Sequence, residues 1–242
     1  MVSGHYDPPE GYEPEVVNVI DRFVWPGDVA VDAGASVGFF TCLLSERVGD
    51  GGQVIAFEPN MESFEHLSRN IRKRDLKNVE AHRIALWEEN QPEITLWSVK
   101  EIGYTSVCHY YSATGSEVVP AWTLDSFLSS GVRPRFMKVD CEMAELQILR
   151  GAERILRGGV DCVITEFNYH LMVQCGVSDH DVRDYMASLG YDMFLISIAE
   201  GDGFHPPIRV EPPVEITVEG GLKHINVMFS TMDKVSSAWA SN

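Results

Sequence analysis

The sequence lacks several features that would define its class at once. None of its apolar runs approaches the roughly 20 residues that a membrane-spanning helix needs. Residues 1–7 contain no basic patch followed by an apolar stretch, so we expect no secretory signal and a cytoplasmic location. The 5 cysteines are odd in number and form no Cys-x-x-Cys pair, which argues against a disulfide framework and a zinc knuckle.

Positive charge is also scarce. The chain has 19 Lys and Arg against 36 Asp and Glu, which gives a formal net charge of −17. An acidic surface repels phosphate backbones, and the single basic triplet, Arg72-Lys73-Arg74, suits the end of a helix. We therefore expect no nucleic-acid partner, no membrane partner and a small-molecule substrate. The oligomeric state stays open, with a homodimer as one option.

Short apolar strands alternate with amphipathic helices along the whole chain. This order predicts an α/β fold, a doubly wound and mainly parallel sheet with helices on both faces. With no repeat and no linker, we expect residues 1–242 to form a single domain. Its expected parts include an N-terminal helical segment (1–25), a polar active-site loop (99–120) and a Pro/Gly-rich excursion (201–220). The third strand is expected to run from about Val79 to Leu86.

The most informative motif lies between the first strand and the following helix. There Asp32-Ala33-Gly34-Ala35-Ser36-Val37-Gly38 places two glycines and free helix N–H groups where the backbone can approach a ligand. The spacing differs from the Gly-x-Gly-x-x-Gly of dinucleotide sites. A carboxylate at Asp32 would repel a pyrophosphate but stabilise an ammonium or a sulfonium. S-adenosylmethionine carries both.

A second acidic residue follows the second strand, in Glu58-Pro59-Asn60. Glu58 lies 20 residues beyond Gly38, where a carboxylate accepts hydrogen bonds from ribose hydroxyls. The two motifs agree on an adenosine ligand, with S-adenosylmethionine as the predicted cofactor and S-adenosylhomocysteine as its product. NAD, and with it a dehydrogenase, is the alternative, because a ribose-binding acid alone does not distinguish the two.

The sequence resembles the FkbM-type methyltransferases over about residues 25–170. The resemblance lies in the runs 31–40 and 54–60, in Ala85-Leu86, and in Lys138-Val139-Asp140-Cys141-Glu142-Met143-Ala144-Glu145. It implies a seven-stranded, Rossmann-like class I methyltransferase sheet with a reversed final strand. It also implies methyl transfer to hydroxyls of sugars and other natural products.

The resemblance completes the expected cofactor site. The predicted cofactor-binding residues are Asp32, Gly34, Ala35, Ser36, Gly38, Glu58, Pro59, Asn60, Ala85, Leu86 and Asp140. The family usually has Gly where this chain has Met143, which we expect to place a bulky side chain near the acceptor pocket.

The predicted catalytic residues are Asp140, Glu142 and His170. Asp140 falls at the carboxyl end of the fourth strand, where open α/β sheets bind ligands. An ordinary carboxylate is a weak base for an alcohol, so we expect Asp140 and Glu142 to orient the substrates. His170, which follows the fifth strand, is the first candidate for the base, and His109 is the second.

Three further alternatives stay open at this stage. Asp140, Glu166 and Asn168 offer oxygen ligands for Mg²⁺, although the resemblance does not require a metal. N-methylation or carboxyl methylation would use the same cofactor site. A cofactor-binding module that has lost its catalytic activity is a non-enzymatic alternative, suggested by Met143 and by the unassigned base.

Overall fold

The structure, a computed structural model, describes residues 11–99, 104–108, 113–196, 206–210 and 224–240. In this part of the chain the main feature is a sheet of eight strands. Its strands, numbered along the chain and given in spatial order, are β11 (Ile208–Arg209), β10 (Asp192–Leu195), β12 (His224–Ser230), β9 (Cys162–Asn168), β8 (Phe136–Val139), β1 (Val29–Ala33), β2 (Gln53–Phe57) and β3 (Val79–His82).

The sheet confirms the predicted fold class. Strands β3, β2, β1, β8 and β9 pair in parallel, and β12 runs antiparallel to both of its neighbours, β9 and β10. These seven strands form the doubly wound sheet with a reversed final strand. The two-residue strand β11 adds an eighth strand at the β10 edge.

Helices cover both faces because successive strand residues point to opposite sides. Val31, Ile55 and Met137 belong to one buried cluster, whereas Ala30, Val54 and Phe136 belong to the other. The helices are α1 (Pro14–Phe23), α2 (Phe39–Val48), α3 (Met61–Lys73), α4 (Leu124–Phe127), α5 (Glu145–Arg150), α6 (Glu153–Arg157), α7 (Tyr169–Cys175), α8 (Asp179–Ser188) and α9 (Met232–Ala240). None of the helices in the described ranges combines the length and apolar character that a membrane span requires.

A second sheet of four strands was not expected. Its order is β4 (Ala85–Leu86), β7 (Gly115–Trp122), β5 (Gln91–Val99) and β6 (Tyr104–Ser106). The prediction of an irregular loop over 99–120 was therefore wrong where β6 and β7 lie. Only Val119 and Ala121 of β7 are buried, so the strand has too few apolar positions to stand out in the sequence.

Other boundaries also differ from the expectation. The third strand ends at His82, and Ala85–Leu86 leaves the large sheet to pair with β7. The helical segment after β8 is divided into α5 and α6 at Gly151, where an added Cβ would lie 2.0 Å from the carbonyl oxygen of Trp87. Of the 201–220 excursion, only residues 206–210 lie within the described residues.

Candidate active site

A cavity of about 290 Å³ opens where β1, β2 and β8 end, against the four-stranded sheet. Parallel strands bring their carboxyl ends, and the turns that follow them, to one edge of a sheet. Of the predicted cofactor residues, those that line the cavity are Gly34, Ser36, Glu58, Pro59, Ala85, Leu86 and Asp140. The other predicted cofactor residues, Asp32, Ala35, Gly38 and Asn60, are not among the described lining residues.

The turn after β1 needs glycine at two positions. Gly34 has φ +81°, and a Cβ there would lie 1.9 Å from the backbone oxygen of Asp140. Gly38 has φ +96°, and a Cβ there would lie 2.6 Å from Cδ1 of Leu67. The first glycine lets the turn meet the end of β8, and the second lets α2 begin against α3.

Glu58 joins two loops at one end of the cavity. One carboxylate oxygen accepts a hydrogen bond from the Ser36 N–H at 2.8 Å, and the other accepts one from the Asn60 N–H at 2.9 Å. Burial raises the pKa of Glu58 to about 7, although both backbone hydrogen bonds lower it. Each carboxylate oxygen has more than one lone pair, so Glu58 retains acceptors for a ligand hydroxyl.

A buried lysine lies among acidic side chains below the cavity. The Nζ of Lys138 lies 2.6 Å from Oδ2 of Asp140 and 4.5 Å from the centre of the Phe40 ring. Burial lowers the pKa of Lys138, but Asp140, Glu13 and Asp32 raise it above its ordinary value. Lys138 and Asp140 therefore form a largely buried ion pair at the end of β8.

Asp32 faces the same interior. Its side chain is fully buried and accepts a hydrogen bond from the Thr41 hydroxyl at 2.5 Å. Burial raises the pKa of Asp32, while Lys138 and Thr41 lower it. Asp32 thus orders the β1 turn and α2 from inside the sheet.

Three carboxyl groups converge beside the cavity, and two of them, Asp140 and Glu142, line it. Oxygen atoms of Asp140, Glu142 and Glu166 all lie within 4.8 Å of one another. Burial, followed by the charges of Asp140 and Glu166, raises the pKa of Glu142 to about 9. Burial and Asp140 likewise raise the pKa of Glu166. Since Lys138 offsets one charge, this acidic group favours either a proton or a cationic ligand.

The backbone around Glu142 is unusual. Glu142 has φ +49° and Met143 has φ +83°, in the left-handed region that favours glycine. The Ser106 hydroxyl donates a hydrogen bond to the carbonyl oxygen of Glu142. The side chain of Met143 is 4% exposed and packs into the core. Met143 is not among the described lining residues, although its neighbours Glu142 and Ala144 are, so its effect on the acceptor pocket stays a prediction.

Two predicted residues lie elsewhere. His170 is exposed on α7, and its ring nitrogen pairs with the amide of Gln174 at 2.7 Å. It is absent from the described lining of the cavity. Asn168 caps α7 by accepting a hydrogen bond from the Leu171 N–H, so Glu142, rather than Asn168, completes the acidic group. His109 lies outside the described residues.

Several residues at the site were missed in the sequence. Tyr12 lines the cavity from just before α1, and its ring lies 5.3 Å from that of Phe39. Thr105, Ser106 and Val107 line it from the four-stranded sheet. Glu145, within the Lys138–Glu145 motif, accepts a hydrogen bond from the Cys141 N–H at 2.9 Å and so shapes the turn after β8. Two sequence signals could have found them, because Glu145 belongs to that motif and residues 105–107 fall within the predicted active-site loop, 99–120.

The cavity is acidic in character. Its described lining includes Glu58, Asp140 and Glu142 but no Lys, Arg or His. Apolar side chains of Ile84, Leu86, Leu96 and Ile148 complete the described walls. A cavity lined by carboxylates and by apolar walls suits a flat, partly apolar ligand with a positive charge.

Comparisons with known proteins identify the family. Residues 32–193 match the family model described as the methyltransferase FkbM domain. The hexuronic acid methyltransferase AglP of Haloferax volcanii is 28% identical over 177 residues, which cover 72% of this chain and 68% of that protein.

Solved structures agree with the observed fold. The methyltransferase FkbM of Methylobacillus flagellatus superposes with a TM-score of 0.53 at 17% identity, over 84% of this chain and 43% of that one. This chain therefore spans less than half the length of that solved structure. An rRNA methylase of Streptococcus thermophilus superposes with a TM-score of 0.50 at 12% identity, over 94% of this chain and 99% of that one. At these identities the likeness shows the fold alone.

The family model covers more than half of the 242 residues. It agrees with the fold and with the predicted use of S-adenosylmethionine as methyl donor. The chain belongs to the FkbM family of S-adenosylmethionine-dependent methyltransferases.

Proposed function

We propose that this protein transfers a methyl group to a hydroxyl of a sugar-containing or other hydroxylated natural-product small molecule. The observation that carries the proposal is a single cavity whose lining includes Glu58, Asp140 and Glu142. A ribose-binding carboxylate and a carboxyl group able to take a proton thus share one space. The name of the hexuronic acid methyltransferase supports a sugar acceptor.

The residues of the cavity fit the methyl donor. Glu58 would hold the ribose, the turn from Gly34 to Gly38 would hold the methionine end, and the apolar walls would cover the adenine. When bound, S-adenosylmethionine supplies a methyl group activated by a positively charged sulfur. The described lining carries carboxylates and no basic side chain, which complements that charge.

We assign the role of base to Glu142 rather than to His170. Glu142 lines the cavity, and one of its carboxylate oxygens is buried without a hydrogen-bond partner. Its raised pKa, about 9, makes its carboxylate a stronger base than an ordinary glutamate. As the new carbon–oxygen bond forms and the carbon–sulfur bond breaks, the hydroxyl proton passes to Glu142 and the sulfur keeps the bonding electrons.

Asp140 and Glu166 support this role. Lys138 fixes Asp140, and the charge of Asp140 helps to raise the pKa values of Glu142 and Glu166. Since Glu142 must be deprotonated to accept a proton, turnover should rise with pH between 7 and 9. The proposed reaction uses no metal, because Lys138 already provides a cation beside Asp140. Loss of turnover on treatment with EDTA, restored by Mg²⁺, would contradict this part.

The first experiment is a calorimetric titration with S-adenosylhomocysteine. We expect micromolar binding by the wild-type protein and weaker binding by Asp32→Ala and Glu58→Ala. Release of S-adenosylhomocysteine is then measured with methyl glycosides of a neutral sugar, an amino sugar and a hexuronic acid. Glu142→Gln should lower turnover about 100-fold or more, while His170→Ala should leave it unchanged. Equal turnover in Glu142→Gln and wild type would refute the assigned base.

Met143 favours one second candidate, a cofactor-binding module without turnover. Met143 has a positive φ at a position where the FkbM-type methyltransferases usually have glycine. Binding of S-adenosylhomocysteine without methyl transfer to any acceptor, and gain of transfer in Met143→Gly, would support this candidate. Acceptor-dependent turnover by the wild-type protein would exclude it.

A further inference from the structure

Glu117 reaches from the four-stranded sheet to the loop that carries Glu58. It lies on β7, on the same side of that sheet as the buried Leu96, its partner on β5. Its Oε1 accepts a hydrogen bond from Nδ2 of Asn60 at 2.6 Å and a longer one from the Met61 N–H at 3.3 Å. The contact joins residues that are 57 positions apart in the sequence.

Asn60 connects Glu117 to Glu58, because it forms hydrogen bonds with both. Its side-chain oxygen accepts a hydrogen bond from the Ser63 N–H at 3.0 Å, which caps α3. Its backbone N–H donates to Glu58 at 2.9 Å, and Glu58 in turn accepts from the Ser36 N–H. An uninterrupted series of hydrogen bonds therefore runs from Glu117 through Asn60 to Glu58 and the turn after β1.

The chemistry at Glu117 requires a carboxylate. Its second oxygen accepts a hydrogen bond from Nη2 of Arg83 at 2.9 Å. All the groups that contact Glu117 in these hydrogen bonds are donors, so a glutamine would turn an N–H₂ group towards at least one of them. Arg83 also offsets the charge of Glu117, whose side chain is 25% exposed.

We propose that Glu117 is a positioning residue of the cofactor site, which holds Asn60 and thereby aims the Glu58 carboxylate at the ribose hydroxyls. The inference rests on the proposed cofactor site, in which Glu58 binds the ribose. In this role, Glu117 gives the four-stranded sheet a part in cofactor recognition, and the same sheet also contributes lining residues to the cavity.

The test measures recognition of the ribose rather than affinity alone. S-adenosylhomocysteine and its 2′-deoxy analogue are titrated calorimetrically into each variant. In the wild-type protein, we expect loss of the 2′-hydroxyl to weaken binding about tenfold, and in Glu58→Ala about twofold or less. Glu117→Gln and Glu117→Ala should weaken S-adenosylhomocysteine about three- to tenfold. They should also shrink the 2′-deoxy penalty to about threefold or less.

Glu93→Ala is the matched control, because Glu93 is an exposed carboxylate on β5 of the same sheet. It should keep both the wild-type affinity and the wild-type 2′-deoxy penalty. Thermal unfolding of each variant checks that it is folded, and Glu117→Gln preserves the side-chain shape if Glu117→Ala fails to fold.

The outcomes separate this proposal from the one on which it rests. A 2′-deoxy penalty that disappears in Glu58→Ala but stays at the wild-type value in both Glu117 variants overturns the role of Glu117 alone. An unchanged penalty in Glu58→Ala, or no binding by the folded wild-type protein, overturns the cofactor site and the role of Glu117 with it.

Discussion

The hydroxyl of Ser106 donates a hydrogen bond to the backbone carbonyl of Glu142 and joins the four-stranded sheet to the turn that carries the acidic group. Ser106 is 2% exposed and also accepts a hydrogen bond from the Cys108 N–H at 3.0 Å. Because Glu142 and Met143 both have positive φ, this turn depends on outside contacts to keep its conformation. Ser106 provides one of them.

Ser106→Ala should therefore affect the part of the cavity near Glu142, where we propose that the acceptor binds. We expect acceptor-dependent turnover to fall about tenfold, because Glu142 loses its fixed orientation. The dissociation constant of S-adenosylhomocysteine should stay within about twofold of wild type, because Glu58 has separate contacts. Ser116→Ala, on the exposed face of β7, is the control. If the affinity of Ser106→Ala for S-adenosylhomocysteine falls as much as its turnover, the donor and the acceptor do not occupy separate parts of the cavity as we propose.

Gly34 and Gly27 form a matched pair of glycines with positive φ. Gly27 has φ +94° and open space where a Cβ would lie, whereas a Cβ on Gly34 would meet the backbone of Asp140. Gly27→Ala should lower the free energy of unfolding by about 1 kcal/mol, the cost of the backbone conformation alone. Gly34→Ala should cost clearly more and abolish binding of S-adenosylhomocysteine. Urea denaturation and calorimetry measure both effects, and equal costs for the two variants would show that the close approach to Asp140 is unimportant.

The raised pKa of Glu142, about 9, makes stability depend on pH. The unfolded chain loses this proton near pH 4.3, while the folded, ligand-free protein keeps it until about pH 9. The resulting stabilisation is fully present below the unfolded pKa and is lost as the pH rises through the folded one. From pH 5 to pH 9, the free energy of unfolding of the wild type should therefore fall by more than about 2 kcal/mol relative to that of Glu142→Gln.

Urea denaturation at a series of pH values measures this change. Glu93→Gln, an exposed carboxyl group, should follow the wild-type profile throughout. Parallel profiles for Glu142→Gln and wild type would mean that Glu142 titrates normally in the folded protein.

Lys138 should be far more important to stability than an exposed lysine. Its side chain is 3% exposed and pairs with Asp140, so Lys138→Met leaves buried carboxylates without their cation. We expect a loss of about 3–5 kcal/mol at pH 7, with partial recovery in Lys138→Met/Asp140→Asn. The control is Lys234→Met, because Lys234 is 51% exposed in its pair with Asp161 and should contribute less than about 1 kcal/mol. Similar losses for the two single variants would contradict the ion-pair role.

The large sheet could be predicted because its pattern is local. Strands β1, β2, β8, β9 and β12 are short, largely apolar runs, and the next element after each of them is a helix. The glycines and acids of the cofactor motifs lie within a few residues of the ends of β1 and β2. The two clusters that cover the sheet follow directly from the alternation of strand residues. Such features depend on neighbours in the sequence, so the order of residues is enough to predict them.

The four-stranded sheet and the proposed role of Glu142 as the base could not be predicted in this way. Strand β7 has few buried positions, and its contacts with β5 and Asn60 join distant parts of the chain. His170 follows β9 closely in the sequence, but the cap at Asn168 starts α7 there and leaves His170 exposed. The role that we propose for Glu142 depends on a raised pKa and an unpartnered oxygen, which arise only where the turn after β8 meets Glu166 of β9.

The four-stranded sheet is formed by one continuous segment of the chain, which lies between β3 and β8. The first and last strands of this segment, β4 and β7, pair with each other, Ala85 with Ala121 and Leu86 with Trp122. A segment closed in this manner can change in length and sequence without altering the strand order of the large sheet. Under the role that we propose for Glu117, any replacement of this segment would have to return a carboxylate to the position of Glu117 to keep the donor site.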